Sequence, residues 1–364
     1  MLVVYGTRPE AIKMAPVVRA LAADPRCEPV VCTTAQHRQM VDQVHRLFGI
    51  TPDVDLDLMA PDQQLNDLTA RVLTAVDGVL GDVDPAWLLV QGDTTTAMAA
   101  ALAAFHRGVP VGHVEAGLRT GDLARPFPEE ANRRLVDAVA ARLFAPTARA
   151  RAALLAEGAD LDRVVLTGNT VVDALEVVTA GLGEVARADE VLVTLHRRES
   201  FGAPLQGMLD AVATLAERFP ELRFVLPVHP NPHVAGPVRA TLEGRPNVEL
   251  CDPHDHPDLV WHLLASRLVL TDSGGIQEEA PSLGAPVLVL RDTTERPEGI
   301  DAGVARLVGV DGAAVVAAAT ELLTDEAARA AMVGRTNPYG DGRAAERIVA
   351  ALVGDPVAPL PIDG

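Results

Sequence analysis

Residues 268–290 read LVLTDSGGIQEEAPSLGAPVLVL. Two apolar runs, Leu268–Thr271 and Val287–Leu290, flank a glycine pair that opens a helical stretch. Both runs are continuously apolar rather than alternating. Strands read this way when helices cover both faces of a parallel sheet. The segment is therefore a strand, a Gly-containing turn, a helix and a second strand.

The same alternation extends in both directions. Further strands are expected at Leu2–Tyr5, Pro29–Thr33, Trp87–Val90, Val109–Val114, Arg142–Phe144 and Val164–Leu166, and again at Val191–Leu195, Phe224–Val228 and Val248–Leu250. Intervening segments such as Thr95–His106 and Leu205–Phe219 carry apolar residues at helical spacing. Two successive strand–helix series imply an α/β protein of two doubly wound domains. The length of 364 residues agrees, at roughly 150 residues per domain. The boundary is placed near Gly168-Asn169, giving domains 1–168 and 169–343. A helix at 344–353 follows the breaker run Asn337-Pro338-Tyr339-Gly340 and can pack back on the first domain. The tail Asp355–Gly364 reads as loose.

Composition narrows the function classes. With 3% aromatics, Ala, Val and Leu must fill the core. No apolar run is long enough for a transmembrane helix, and the start MLVVYGTRPE does not read as a signal peptide. A net charge of −19 disfavours nucleic acid, because phosphate binding needs a basic face. The expectation is a cytoplasmic enzyme without membrane or nucleic-acid partners. Cys27, Cys32 and Cys251 have no metal-ligand spacing and read as reduced and buried. His254, His256 and His262 match no common zinc spacing, so no metal is expected.

In doubly wound sheets, ligands bind beyond the carboxyl ends of the strands. The polar clusters fall there. They are Gly6–Pro9, Gln36–Arg38, Gly92–Thr96, Glu115–Gly117, His196–Glu199, His229, Asp272–Gly275 and Arg291-Asp292. So many polar strand ends point to a cleft between two facing domains. Neither G-x-G-x-x-G nor a P-loop is present, which disfavours NAD-dependent oxidation and NTP hydrolysis.

Ser273-Gly274-Gly275 lets a phosphate approach the backbone at a helix N-terminus, and Glu279 one turn later can accept from ribose hydroxyls. An ordinary Gly turn with acids favoured by the helix dipole reads equally well. Asp93, Glu115, Glu129 and His196 are the acid–base candidates. Taken singly, Asp93 also reads as an N-cap and Glu129 as a helix start. Arg296 can neutralise a pyrophosphate through its planar donors, or sit in a solvated loop.

Together these stretches resemble the non-hydrolysing UDP-N-acetylglucosamine 2-epimerases of bacteria. The resemblance rests on GTRPEAIKMAP, TAQHRQM, GDTTT, PVGHVEAGLRTGD, PFPEEANR, TGNTVVDAL, HRRESFG, TDSGGIQEEAPSLGAPVLVLRDTTERPEG and NPYGDGRA, in that order along nearly the whole chain. It implies two Rossmann-like domains of the glycosyltransferase B type facing across a cleft. It also implies a homodimer and a UDP-N-acetylhexosamine substrate, with no NAD or metal. Catalysis falls to Asp93, Glu115, Glu129 and His196. UDP binding falls to Arg8, Lys13, His254, Ser273, Gly274, Gly275, Glu279 and Arg296. An activating second substrate site falls to Gln36, Gln39, Gln63, Arg197 and His229.

The C2 proton of such a sugar is not acidic, since no carbonyl is attached to C2. Inverting C2 needs either oxidation or loss of a leaving group, and UDP at C1 is a good one when its charge is held. The implied route is elimination of UDP to a glycal and re-addition. Which carboxylate is the base stays open. The alternatives are a hydrolysing 2-epimerase, an epimerase of a modified UDP-diacetamido sugar, a UDP-sugar glycosyltransferase and a non-catalytic UDP-sugar sensor.

Overall fold

The computed structural model describes residues 1–34, 38–58, 63–333 and 335–361, without the side chains of Arg38, Gln39 and Arg198. Among these residues the strands form two parallel sheets. The first holds β1 (Leu2–Tyr5), β2 (Val30–Thr33), β3 (Val54–Asp55), β4 (Leu88–Gln91), β5 (Val111–Val114), β6 (Arg142–Ala145) and β7 (Val164–Leu166), in the order β3-β2-β1-β4-β5-β6-β7. The second holds β8 (Glu190–Thr194), β9 (Arg223–Pro227), β10 (Val248–Cys251), β11 (Leu268–Thr271), β12 (Val287–Val289) and β13 (Ala305–Leu307), in the order β10-β9-β8-β11-β12-β13. The register is regular: Val3 lies opposite Val31, and Val269 is flanked by Leu192 and Val287. Each sheet reverses its winding beside its first strand, between β1 and β4 and between β8 and β11. Chain leaving those strands turns to opposite faces and opens a crevice.

The core follows from composition. Every residue of β1, β4, β5 and β11 is buried. The helix Thr95–His106 buries Ala97, Ala99, Ala100, Ala101, Ala103 and Ala104, small side chains that let it approach the helix Leu65–Val83 closely. Of the few aromatics, Tyr5, Phe144, Phe224 and Tyr339 are fully buried, whereas Phe105, Phe127 and Trp261 are exposed. Two edge strands escaped the sequence reading. β3 is two residues long in an Asp-rich stretch, and β13 carries Arg306. Edge strands are half-solvated and lose the continuous apolar signal. All three cysteines are free. Cys32 is buried, whereas Cys27 and Cys251 are half-buried.

The chain divides into two compact units. One is Met1–Val177 together with the segment that begins at Tyr339; the other is Val178–Pro338. The division therefore falls after the helix Thr170–Leu182 has begun rather than at Gly168-Asn169. Specific bonds tie that helix to the returning segment. Asn169 N–H donates to the Tyr339 carbonyl at 2.6 Å. The Asp173 carboxylate accepts from Ala344 and Ala345 N–H at 3.2 and 2.8 Å, capping the helix Ala344–Val353 from another element. That helix packs against the helix Arg8–Ala23. The tail is also held. Arg347, buried, donates to the carbonyls of Thr167, Ala358 and Pro359 and pairs with Asp341. No helix among the described residues is long and apolar enough to cross a membrane.

Burial raises the Asp173 carboxyl to about 6, against the backbone donors that lower it. A raised acid binds a proton more readily folded than unfolded. Ionised Asp173 therefore costs stability above about pH 6, and the cost is relieved as pH falls towards the ordinary carboxylate value. The cost is roughly 3 kcal/mol. Chemical denaturation of the protein and of Asp173→Asn between pH 4 and 7 should show the parent gaining on the variant as pH falls through 6. A pH-independent difference would refute this.

Candidate active site

In the first unit, the turn after β1 leads through Gly6 and Thr7 into the helix Arg8–Ala23, with Pro9 in its first turn. Glu10, buried, folds back on that turn. It accepts from Gly6 N–H at 3.1 Å, Thr7 N–H at 2.7 Å and the Thr7 hydroxyl at 2.8 Å. Its other oxygen accepts from the Thr94 hydroxyl at 2.6 Å. One buried carboxylate thus ties the β1 turn to the β4 turn across the switch point. Burial pushes its pKa up, against those four donors. Arg8 is half-buried at the helix start.

Glu115 follows β5 in the left-handed region, at φ 66°. A non-glycine residue there is strained and is held by its surroundings. Its carboxylate pairs with Lys13 and accepts from Asn169 Nδ2 at 3.2 Å. Lys13, expected at the nucleotide, thus meets an expected catalytic carboxylate.

Asp93 is not the N-cap of the next helix. Thr94 takes that role, its hydroxyl accepting from Ala97 N–H at 3.0 Å. The Asp93 carboxylate is left to pair with Arg133, while its carbonyl accepts from Asn132 Nδ2 at 2.9 Å. Both partners come from the helix Glu129–Val139. Glu130, fully buried, anchors that helix start. It accepts from Thr120 and Gly121 N–H and pairs with Arg133 and Arg134. Glu129 is half-buried at the same helix start.

His113 lies beneath this turn and was read only as part of a strand. Its Nε2 is 2.7 Å from the Gly92 carbonyl and its Nδ1 is 2.6 Å from Asp137, which Arg119 also holds at 2.7 Å. Burial works upward on Asp137, but His113 and Arg119 hold it below its ordinary value. A histidine inside the apolar run Val109–Val114 was the available signal. Gln63, expected in an activator site, is half-buried. Gln36 and the side chain of Gln39 lie outside the described residues.

In the second unit, β8 leads to His196-Arg197 and β11 to Asp272. Asp272 is fully buried. Its carboxylate accepts from His196 N–H at 2.9 Å and Arg197 N–H at 2.9 Å, and lies 3.1 Å from His196 Nδ1. The His229 ring stacks on His196 with centroids 5.9 Å apart. Burial, then the charge of His196, pushes the His229 pKa down. The expected activator residue Arg197 thus shares a turn with the expected catalytic His196, and His229, after β9, stacks on that histidine.

Ser273 occupies the N-cap position of the helix Gly274–Ser282 without a side-chain capping bond. Glu295 stands at its start, held by Arg197 at 3.1 Å and Arg291 at 2.6 Å. Burial works upward on Glu295, but Arg296, Arg197 and Arg291 hold it at about 2. A Cβ at Gly274 would come within 3.0 Å of the Arg197 guanidinium and 3.2 Å of Glu295, so glycine makes this approach possible. Arg296 pairs with the buried Glu278. Three guanidiniums and the free N–H groups of one helix N-terminus therefore gather where an anion would bind.

Glu279 lies one turn further on, its Oε1 3.6 Å from a Cβ built on Gly275. The ring that meets it is that of His256, with Nε2 3.5 Å from Oε2. His254 turns elsewhere, stacking on His262 at 4.4 Å, with Nε2 3.6 Å from Cys251 Sγ. Among the described residues, no group of three or more His, Cys, Asp or Glu is placed to hold a metal ion.

A family model described as UDP-N-acetylglucosamine 2-epimerase matches residues 19–353. The UDP-N-acetylglucosamine 2-epimerase of Yersinia pestis is 52% identical over 97% of this chain and 98% of its own length. The crystal structure of the UDP-GlcNAc 2-epimerase of Neisseria meningitidis bound to UDP-GlcNAc superposes with a TM-score of 0.92 at 44% identity, covering 97% of this chain and 99% of that one. The enzyme of Methanocaldococcus jannaschii, in complex with UDP-GlcNAc and UDP, gives 0.82 at 31% identity, covering 97% and 99%.

Proposed function

The chain belongs to the UDP-N-acetylglucosamine 2-epimerase family, and from that premise we propose that it interconverts UDP-N-acetylglucosamine and UDP-N-acetylmannosamine without net hydrolysis. The observation that carries the reading is the set of carboxylates at the first unit's switch point, each fixed by a cation or a helix start. The second unit carries arginines and a helix N-terminus suited to a pyrophosphate.

A carboxylate removes the C2 proton while the C1–O bond breaks, and the electron pair of the C–H bond forms the C1–C2 double bond. UDP leaves with the electrons of the broken bond, and the arginines and the helix N-terminus stabilise its charge. The removed proton passes from the carboxylate to solvent, and a solvent-exchanged proton is delivered from a second group to the opposite face of C2 as UDP re-adds to C1. His196, braced by Asp272, supplies a further proton-transfer group. Arg197 and His229 adjoin that histidine, which fits a second sugar nucleotide acting as activator. The functional assembly is a homodimer.

Proton NMR of turnover in deuterated water tests the reaction. The product should remain UDP-linked and carry deuterium at C2. Retention of the original hydrogen would remove the elimination route. Accumulation of free N-acetylmannosamine with UDP would replace the proposal with hydrolysis.

A further inference from the structure

His256 opens the helix His256–Ala265, and Asp255 caps that helix through Asp258 N–H. The imidazole is 5% exposed, yet neither ring nitrogen has a hydrogen-bond partner. Glu279 Oε2, 3.5 Å from His256 Nε2, is buried and equally without one. That gap is too long for a good hydrogen bond. Three buried polar atoms therefore stand unsatisfied on two facing side chains, a costly arrangement unless a ligand completes it.

The place names the ligand chemistry. Glu279 sits one turn inside the helix whose N-terminus gathers Arg197, Arg291 and Arg296 around Glu295. A diphosphate at that N-terminus would carry its ribose towards Glu279. A carboxylate can only accept, so it takes the protons of the vicinal hydroxyls. Each hydroxyl oxygen keeps lone pairs, and an imidazole N–H can donate to one of them.

We propose that His256 binds a ribose hydroxyl together with Glu279 and so selects ribonucleotides over deoxyribonucleotides. This rests on the reading that the second unit binds a nucleoside diphosphate. The resemblance placed His254 among the UDP-binding residues; its ring stacks on His262 and its Nε2 lies 3.6 Å from Cys251 Sγ.

Titration calorimetry of the full chain with UDP, 2′-deoxy-UDP and 3′-deoxy-UDP tests this. The unmodified protein should bind UDP at least about tenfold more tightly than one deoxy analogue. His256→Phe, which keeps a flat ring, should lose about tenfold for UDP and nothing for that analogue. His256→Gln, which restores an N–H, should recover part of the loss. Equal binding of all three nucleotides by the unmodified protein overturns the proposal without recourse to a variant. So does a Phe variant that binds UDP normally, or that loses all three nucleotides by one factor. No UDP binding in the unmodified protein would instead remove the nucleotide reading, and this proposal with it.

Discussion

Asp93→Asn should lower kcat by roughly a hundredfold or more while leaving the Kd for UDP unchanged. The turn that carries Asp93 is held at its backbone. His113 lies against the Gly92 carbonyl, Asn132 donates to the Asp93 carbonyl, and Thr94 bonds to Glu10. An asparagine at this position keeps all three contacts and the side-chain shape. It loses the charge, the proton affinity and the ion pair with buried Arg133, so an unchanged Kd for UDP and an unchanged unfolding midpoint are what make a fall in kcat report chemistry rather than misplacement. Steady-state kinetics, calorimetry with UDP and deuterium incorporation at C2 should be read together. Glu115→Gln and Glu129→Gln, run in parallel, identify the base: its variant should lose C2 exchange outright, whereas the other two should slow it. A kcat within threefold of the parent would exclude Asp93 from the chemistry.

Arg296→Ala should raise the Kd for UDP by about tenfold to a hundredfold, the worth of one or two charge-assisted hydrogen bonds. Turnover should fall as well, because pyrophosphate charge is present in the ground state and grows as the C1–O bond breaks. The substitution also leaves Glu278 buried without its guanidinium, and breaking such a pair costs about 3–5 kcal/mol. Thermal unfolding should therefore be measured alongside calorimetry. Arg296→Lys separates the effects: it keeps a cation for Glu278 but loses the planar donors, so stability should recover more than affinity. Unchanged UDP affinity in a folded Ala variant would place the pyrophosphate elsewhere.

The winding of both sheets was legible because strands covered on two faces read as uninterrupted apolar runs, from Leu2–Tyr5 to Val287–Val289. β3 and β13 were not, because an edge strand need not be apolar. The residues proposed for the chemistry stood out in the sequence through position, since polar groups at strand ends are conspicuous. Their supports were not. Glu10, Glu130, Arg133 and Asp272 look like ordinary surface charges in sequence, and only the fold shows them buried and oriented inward. His254 and His256 could not be told apart from sequence, because whether a side chain two positions along faces Glu279 or His262 depends on where the helix begins.

The capping of Ala344 and Ala345 by Asp173, and the grip of Arg347 on Thr167 and Pro359, bear on synthesis from the ribosome. Translation delivers β1–β7 first, yet the helix that completes their unit comes last. Between them lies Val178–Pro338, a contiguous stretch with its own sheet and core. Domains generally fold as their chain emerges. The middle of this chain can therefore mature while the beginning still waits for its end. Until then the Asp173 carboxylate lacks its two N–H donors, and the surface that receives the last helix is uncovered. The first unit to be translated is therefore finished only after the second has been made.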